Sequence, residues 1–142
     1  MMDGVVHSFY ISSESDINQG IQDKIYYTNF RKNHEKTFIE DNFIQLLLIN
    51  RYLIDVPSYN YNNTELTVGI DPLSGSILKN EQIPLFLKKL DIFESEIDDE
   101  KNKLGMQDFG CTKHEVLKEF YKLRDFLKKA LESNMCVYHV GI

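Results

Sequence analysis

The C-terminal thirty residues of this chain constrain its fold more than any other stretch. Thr112 and Glu115 have the spacing of a capping box, in which each side chain satisfies a free backbone N–H of the other residue. Apolar residues then recur at helical intervals: Val116, Phe120, Leu123, Leu127, Ala130 and Leu131. Residues 135–140 follow and are apolar on both faces, as in a central strand. The sequence therefore predicts a capped helix over residues 112–133 that leads into a buried strand.

The first strand and the first helix are predicted near the N-terminus. Residues 5–11 are rich in β-branched and aromatic side chains that alternate between two faces. The face expected to point inward carries Val5, His7, Phe9 and Ile11. Residues 16–27 place isoleucines at helical spacing, although Gly20 lowers the helix propensity by up to about 1 kcal/mol. We therefore expect a strand at 5–11 and a helix at 16–27.

A second helix is expected to begin at another capping box, which Thr37 and Glu40 form by their spacing. The run at residues 43–49 is apolar nearly all round, so this helix should be largely buried. Pro57 and the tyrosine- and asparagine-rich residues 59–63 are expected to end it, because proline cannot continue a helix.

A hairpin and a third helix are predicted in the middle of the chain. Residues 65–70 have the composition of a strand, and residues 71–75 place proline and glycine where a type I turn favours them. Residues 76–78 would then return as the second strand of the hairpin. Asn80 is a suitable N-cap for an amphipathic helix that ends near residue 95.

These elements predict one α+β domain over residues 1–142. We expect a mainly antiparallel sheet of about four strands, with three or four helices packed largely on one face. The first and last strands are expected to be neighbours inside that sheet.

Charge and composition restrict the classes of partner. The chain has 142 residues and a net charge of −6, which disfavours direct binding to nucleic acid or to an anionic membrane surface. It is compatible with a basic protein partner that is attracted by charge. No secretory leader and no apolar run of membrane-spanning length occur, and there are only two cysteines, so we expect a cytoplasmic protein. No cofactor-binding motif is present, and none is expected to be needed.

Histidine and cysteine supply the candidate metal ligands and nucleophiles. Cys111 and His114 lie close together at the predicted start of the last helix, where a thiol would have a lowered pKa. No second pair has the spacing of a structural zinc site. His7 and His139 lie on the first and last predicted strands, so pairing of those strands could bring them together, although the sequence does not decide whether they meet. Two imidazoles with a carboxylate form a metal site in many proteins, whereas a locally hydrogen-bonded pair is the simpler interpretation.

Two irregular stretches are candidates for binding a protein partner. Residues 91–100 are strongly acidic and contain no basic residue, which is typical of a surface that attracts a basic partner. The acids expected to act there are Glu94, Glu96, Asp98, Asp99 and Glu100. Tyr59 and Tyr61 lie among asparagines and could supply anchors, because tyrosine gives contact area at low entropic cost. The alternative is that both tyrosines fold back onto the core.

A small acidic α+β domain whose helix runs through residues 130–134, Ala-Leu-Glu-Ser-Asn, into a terminal strand resembles the bacterial immunity proteins of polymorphic toxin systems. Proteins of that class bind and neutralise a cognate toxin domain, often a basic nuclease. The resemblance covers composition and the last thirty residues and contains no diagnostic motif, so it identifies no site residue. It implies a non-enzymatic protein-binding module with a basic toxin domain as its partner.

Two other interpretations stay open. One is a small metal-dependent hydrolase built on His7 and His139. The other is a subunit that forms a homo-oligomer through the apolar helix at residues 43–54. The chain has no phosphate loop, nucleophile elbow or metalloprotease helix, which favours a binding protein over an enzyme.

Overall fold

A single antiparallel sheet organises the computed structural model, which describes residues 4–22, 30–97, 106 and 110–141. Its six strands in these residues are β1 (Val6–Ser12), β2 (Lys36–Glu40), β3 (Pro57–Asn60), β4 (Leu66–Val68), β5 (Gly75–Leu78) and β6 (Cys136–Val140). They lie in the order β2-β1-β6-β5-β3-β4, and every neighbouring pair is antiparallel. The predicted α+β class is confirmed, but the expected four strands are six.

Helices cover both faces of the sheet. The helices with described bounds are α1 (Glu14–Gln22), α2 (Asp41–Ile49), α3 (Ile83–Ile97) and α4 (Lys113–Glu132), with a 3-10 turn at Asn80–Gln82. Residues 30–33 are also α-helical, so the described part of the chain has five α-helical segments rather than three or four.

Neighbouring residues of β1 show that each face has its own core. Phe9 belongs to the larger core with α2, α3 and α4, whereas Tyr10 packs with Ile17 of α1 and with Phe30. Successive side chains of a strand point to opposite faces. Three helices therefore lie on one face, as expected, whereas α1 and residue Phe30 cover the other face, which was not expected.

The C-terminal prediction is confirmed in detail. The N–H of Glu115 donates to Oγ1 of Thr112, and the N–H of Thr112 donates to Oε1 of Glu115, both at 3.1 Å. Helix α4 begins at the next residue after Thr112 and has Ser133 as its C-cap. Strand β6 then lies between β1 and β5, so the first and last strands are neighbours, as expected.

The predicted start of the second helix was wrong, because the proposed capping box is part of an edge strand. Thr37 pairs with Phe9, and the side chain of Ile39 is fully buried. The N–H of Glu40, which the box would have capped, instead donates to Oε1 of Glu119 at 2.9 Å. Pairing with β1 and contact with α4 therefore override the local helix signal, and α2 begins at Asp41.

The predicted hairpin was also wrong, because β3 lies between its two strands. Strand β3 occupies part of the stretch that was expected to end a helix, and it pairs with both β4 and β5. The true hairpin joins β3 to β4 through a turn in which Asn63 has a φ of 57°, a conformation that asparagine tolerates. The amide oxygen of Asn60 closes this turn by accepting from the N–H of Thr64 and of Glu65.

The first predicted helix is confirmed as α1 over residues 14–22, and residues 23–29 lie outside the described residues. Among the helices of the described residues, none has both the length and the apolarity needed to cross a bilayer.

Candidate functional site: a buried histidine pair and an exposed edge-strand groove

His7 and His139 meet in the centre of the sheet. Phe9 of β1 lies opposite His139 of β6, and His7 is two residues before Phe9, so all three side chains share one face. Nδ1 of His7 is 2.8 Å from Nε2 of His139, and the two rings stack with centroids 5.0 Å apart. The sequence left open whether the two histidines meet, and pairing of β1 with β6 brings them together.

A carboxylate continues this contact. Oδ1 of Asp41, the first residue of α2, lies 2.7 Å from Nε2 of His7. A carboxylate only accepts, so Nε2 of His7 carries the proton. In the tautomer with one proton on each ring, Nδ1 of His7 is the acceptor in its contact with His139. His139 must then donate from Nε2. The result is a directed chain from His139 through His7 to Asp41, which is the only one of the three with a partly exposed side chain, at 14%.

Burial keeps the inner histidine neutral. His139 is 2% exposed, and the loss of water together with the neighbouring His7 lowers the pKa of His139 to about 3. The carboxylate of Asp71 acts weakly in the other direction. At neutral pH, His139 is therefore an uncharged imidazole, which donates from Nε2 and has a free lone pair on Nδ1.

The hydrogen-bonded side chains of His139, His7 and Asp41 are not arranged as a metal centre. Within the described residues, no group of three or more His, Cys, Asp or Glu side chains is placed to hold a metal ion. Two imidazole nitrogens that share a tetrahedral zinc ion would be about 3.3 Å apart, given Zn–N bonds near 2.0 Å. The 2.8 Å contact between His7 and His139 is instead the length of a hydrogen bond.

Cys111 and His114, the other candidate pair, do not form a metal or nucleophile site either. The thiol of Cys111 is buried in the larger core, whereas His114 is exposed in the first turn of α4. Cys136 is a buried free thiol in the smaller core, where burial raises its pKa and lowers its reactivity.

The described acids of the predicted binding surface lie on the second half of α3. Asp91 and Glu96 are exposed and Glu94 is half-buried, whereas Asp98, Asp99 and Glu100 lie outside the described residues. Glu94 accepts a hydrogen bond from the hydroxyl of Tyr121 at 3.1 Å, and Glu96 accepts one from Tyr52 at 2.9 Å. Both partners are neutral phenols, so these contacts orient the carboxylates and leave their charge in place.

Burial, and to a lesser degree the hydrogen bond to Glu96, raises the pKa of Tyr52. This phenol therefore stays a donor at any physiological pH.

The two predicted tyrosine anchors differ. Tyr59 is half-buried on β3 and is covered by Lys79, whose Nζ lies 3.9 Å from the ring centroid and 2.9 Å from Oε2 of Glu14. Tyr59 is thus held within the fold. Tyr61 is 45% exposed in the turn between β3 and β4, and it remains available to a partner.

An open groove of about 220 Å³ lies beside the end of β4 and was not found from the sequence. One wall is the turn that follows α2, and the other is the chain from β4 to Ile70. The lining residues are Leu48, Arg51, Leu53, Ile54, Val68, Gly69 and Ile70. The two walls approach closely, since a Cβ on Gly69 would lie 3.1 Å from the carbonyl oxygen of Leu53. Arg51 is the only charged lining residue, and it forms no ion pair with the other described residues.

Strand β4 forms an exposed edge next to this groove. Two backbone hydrogen bonds show which residues along β4 face β3. The N–H of Asn60 donates to the C=O of Glu65, and the N–H of Gly69 donates to the C=O of Val56. By alternation, the backbone groups of Leu66 and Val68 point away from β3, where no described strand pairs with them. Their side chains are also 65% and 60% exposed.

The turn after α2 connects the groove to the acidic helix α3. The turn after α2 contributes Leu53 and Ile54 to the groove and contacts α3 through its other side chains. Tyr52 donates to Glu96, and Asp55 forms an ion pair with Lys89 at 3.0 Å. The one sequence signal for the groove is the apolar character of Ile54, Leu66 and Val68 in otherwise polar turns, but that pattern does not show that they would be exposed.

The fold defines this chain as a mixed α+β protein with helices on both faces of an antiparallel sheet. No protein-family model matches the chain, and no curated protein is significantly similar to it in sequence. Its fold is similar to that of YfbM from Escherichia coli, a protein of unknown function whose crystal structure is known. The two share 12% sequence identity with a TM-score of 0.55, over 97% of this chain and 100% of that one. This likeness concerns the fold alone.

Proposed function

We propose that this protein is a non-enzymatic protein-binding module of the immunity or antitoxin type, which acts in the cytoplasm by neutralising a basic toxin domain. The acids of α3 attract the partner, and the groove beside β4 anchors it. The observation that carries the proposal is the pair of acids in the last turn of α3, which contains no basic residue, on a helix contacted by the turn that lines an open apolar groove.

The position of these acids is unfavourable for the helix itself. The C-terminal end of a helix is its negative pole, and an acid there typically costs 0.3–1 kcal/mol at low salt, roughly the value by which a base would stabilise it. The last turn of α3 contains Glu94 and Glu96 and no basic residue. Local rules of stability are most often broken at functional sites, so this placement supports a role in binding.

The groove supplies what the acids cannot. Charge gives specificity and association rate, whereas affinity comes from a few desolvated apolar anchors. The groove offers apolar walls for one side chain, and Arg51 offers a donor to an oxygen beside it. The outward backbone groups of Leu66 and Val68 are suited to pairing with an extended segment of the partner. Proteins usually protect an apolar edge strand, so its exposure supports a docking role.

The histidine pair gives little support to the alternative of a metal-dependent hydrolase. His7 and His139 are 0% and 2% exposed, so a substrate cannot reach them in this conformation. Three of their four ring nitrogens are already bonded, to each other and to Asp41. The proposal therefore places function on the surface and assigns the histidines to the interior.

The proposal is tested with two variants and a charge-matched control. The first variant carries Asp91→Asn, Glu94→Gln and Glu96→Gln. The control neutralises three exposed acids elsewhere, as Glu81→Gln, Asp125→Asn and Glu132→Gln, and so has the same net charge. The second variant is Ile54→Asp, which places a charge on the groove wall at a position that is already exposed.

The measurement is capture from a lysate of the source organism, followed by titration of the purified partner in a calorimeter. We expect a basic partner whose affinity falls at least tenfold with the α3 variant and with Ile54→Asp, and stays within twofold with the control. The proposal is wrong if no basic protein is captured, or if the control weakens binding as much as the α3 variant.

A further inference from the structure

A small, partly enclosed cavity is lined by His139, the inner member of the histidine pair. It has a volume of about 10 Å³ and lies between the sheet and the helices of the larger core. Six apolar side chains line it, from Phe9, Ile70, Leu78, Phe86, Leu127 and Val137, together with the polar residues Ser76 and His139. That volume is the size at which a cavity holds one water molecule.

Nδ1 of His139 is a buried polar atom without a hydrogen-bond partner among the described residues. With one proton on each ring and Nε2 of His7 bonded to Asp41, this nitrogen carries a lone pair and needs a donor. A buried acceptor left unsatisfied typically costs 1–3 kcal/mol, so native proteins usually supply a partner for it.

Ser76 has the complementary requirement. It lies opposite His139 in the β5–β6 pairing, and it is 3% exposed. Its Oγ accepts from the N–H of Asp71 at 2.7 Å, which leaves its own O–H free to donate. The hydroxyl of Ser76 and Nδ1 of His139 do not bond directly, since that nitrogen has no described partner. A bridging group between them must both accept and donate.

We propose that one water molecule is bound in this cavity, donating to Nδ1 of His139 and accepting from the hydroxyl of Ser76. It completes a hydrogen-bonded chain from Asp41 through His7, His139, the water and Ser76 to the N–H of Asp71. The chain crosses strands β1, β6 and β5 and joins the start of α2 to the turn before β5. Water is the ligand because the cavity is too small for a larger molecule and its other walls are apolar.

This site goes beyond the proposed function, because it needs neither a partner nor the outer surface. It assigns a structural role to the two histidines. A hydrogen-bonded chain whose members all donate in one direction is fully satisfied only with the water present, and such networks specify a single arrangement of the strands that they join.

The first test is a crystal structure of the full chain at better than about 1.2 Å resolution, where hydrogens begin to be seen. We expect a water peak within hydrogen-bond distance of both Nδ1 of His139 and Oγ of Ser76. An empty cavity, or a direct bond between Ser76 and His139, would overturn the proposal.

The second test is nitrogen-15 NMR of the imidazole rings, with Ser76→Ala and the control Ser58→Ala. Ser58 is a buried serine of the neighbouring strand that bonds to Thr67 and lies outside the cavity lining. We expect Nδ1 of His139 to show the shift of an unprotonated, hydrogen-bonded nitrogen in the wild type. Ser76→Ala should move that resonance and Ser58→Ala should leave it in place. A protonated Nδ1, or equal effects of the two variants, would contradict the proposed chain.

Discussion

Lowering the pH should destabilise this protein well before its carboxylates are protonated. In the unfolded chain, His139 should take up a proton at its ordinary pKa of about 6.5. In the folded protein, burial and the neighbouring His7 hold the pKa of His139 near 3. Between these values the unfolded state binds one more proton than the folded state, so stability falls as the pH falls and is fully present only above 6.5.

The size of the effect follows from the two pKa values. Each unit of pKa difference corresponds to about 1.4 kcal/mol, which is also the steepest slope that one group can give per pH unit. Between about pH 7.5 and pH 5, where most carboxylates are still ionised, His139 alone should remove about 2 kcal/mol from the free energy of unfolding. Below that range, carboxylates whose pKa is lowered in the fold, such as Asp71, should add to the loss.

Urea denaturation followed by circular dichroism over this pH range measures the slope. His139→Gln should be less stable at neutral pH and should lose most of the pH dependence. His114→Gln changes an exposed histidine, so it should keep the wild-type slope. A wild-type stability that is flat between pH 7.5 and pH 5, or an equal loss of slope in both variants, would refute the assignment of a neutral His139.

Three further substitutions test other parts of the fold by the same denaturation assay. Asp41→Asn removes the charged acceptor of His7 and should cost about 2 kcal/mol, the value of a bond to a charged group; an unchanged midpoint would show that this bond contributes nothing. Gly75→Ala should cost more than Gly4→Ala. A Cβ on Gly75 would lie 2.6 Å from a backbone oxygen of β6, whereas one on Gly4 has open space, although both have positive φ. Thr112→Ala removes the N-cap of α4 and should cost about 1 kcal/mol, and a change below 0.3 kcal/mol would argue against the capping box.

The parts of the fold that could be predicted from sequence are those fixed by neighbouring residues. The capping box at Thr112, the stripe of α4 and the apolar strand β6 are short-range signals, and nothing in the tertiary structure opposes them. The sequence also raised the meeting of His7 with His139 without deciding it, because the meeting requires that the first and last strands pair in the register that brings their inward faces together.

The missed elements depend on contacts between distant residues. Thr37 and Glu40 carry a helix signal, but β1 offers a strand partner and Glu119 takes the N–H that the cap would have used. Strand β3 begins with Pro57, which in the sequence predicts the end of a helix. Proline is nevertheless tolerated as the first residue of a strand. The groove depends on how closely the turn after α2 approaches Gly69, and no local pattern encodes that distance.

The association rate with the captured partner, measured by stopped-flow fluorescence over a range of salt concentrations, tests the proposed function most directly. Steering by the acids of α3 is screened by salt, with a Debye length of about 10 Å at 0.1 M. We expect the wild-type rate to fall steeply with salt, and the variant that neutralises Asp91, Glu94 and Glu96 to be slower and nearly independent of salt. The control variant of equal net charge should keep most of the wild-type dependence. A wild-type rate that does not change with salt, or the same curve for the α3 variant and the wild type, would contradict binding through this surface.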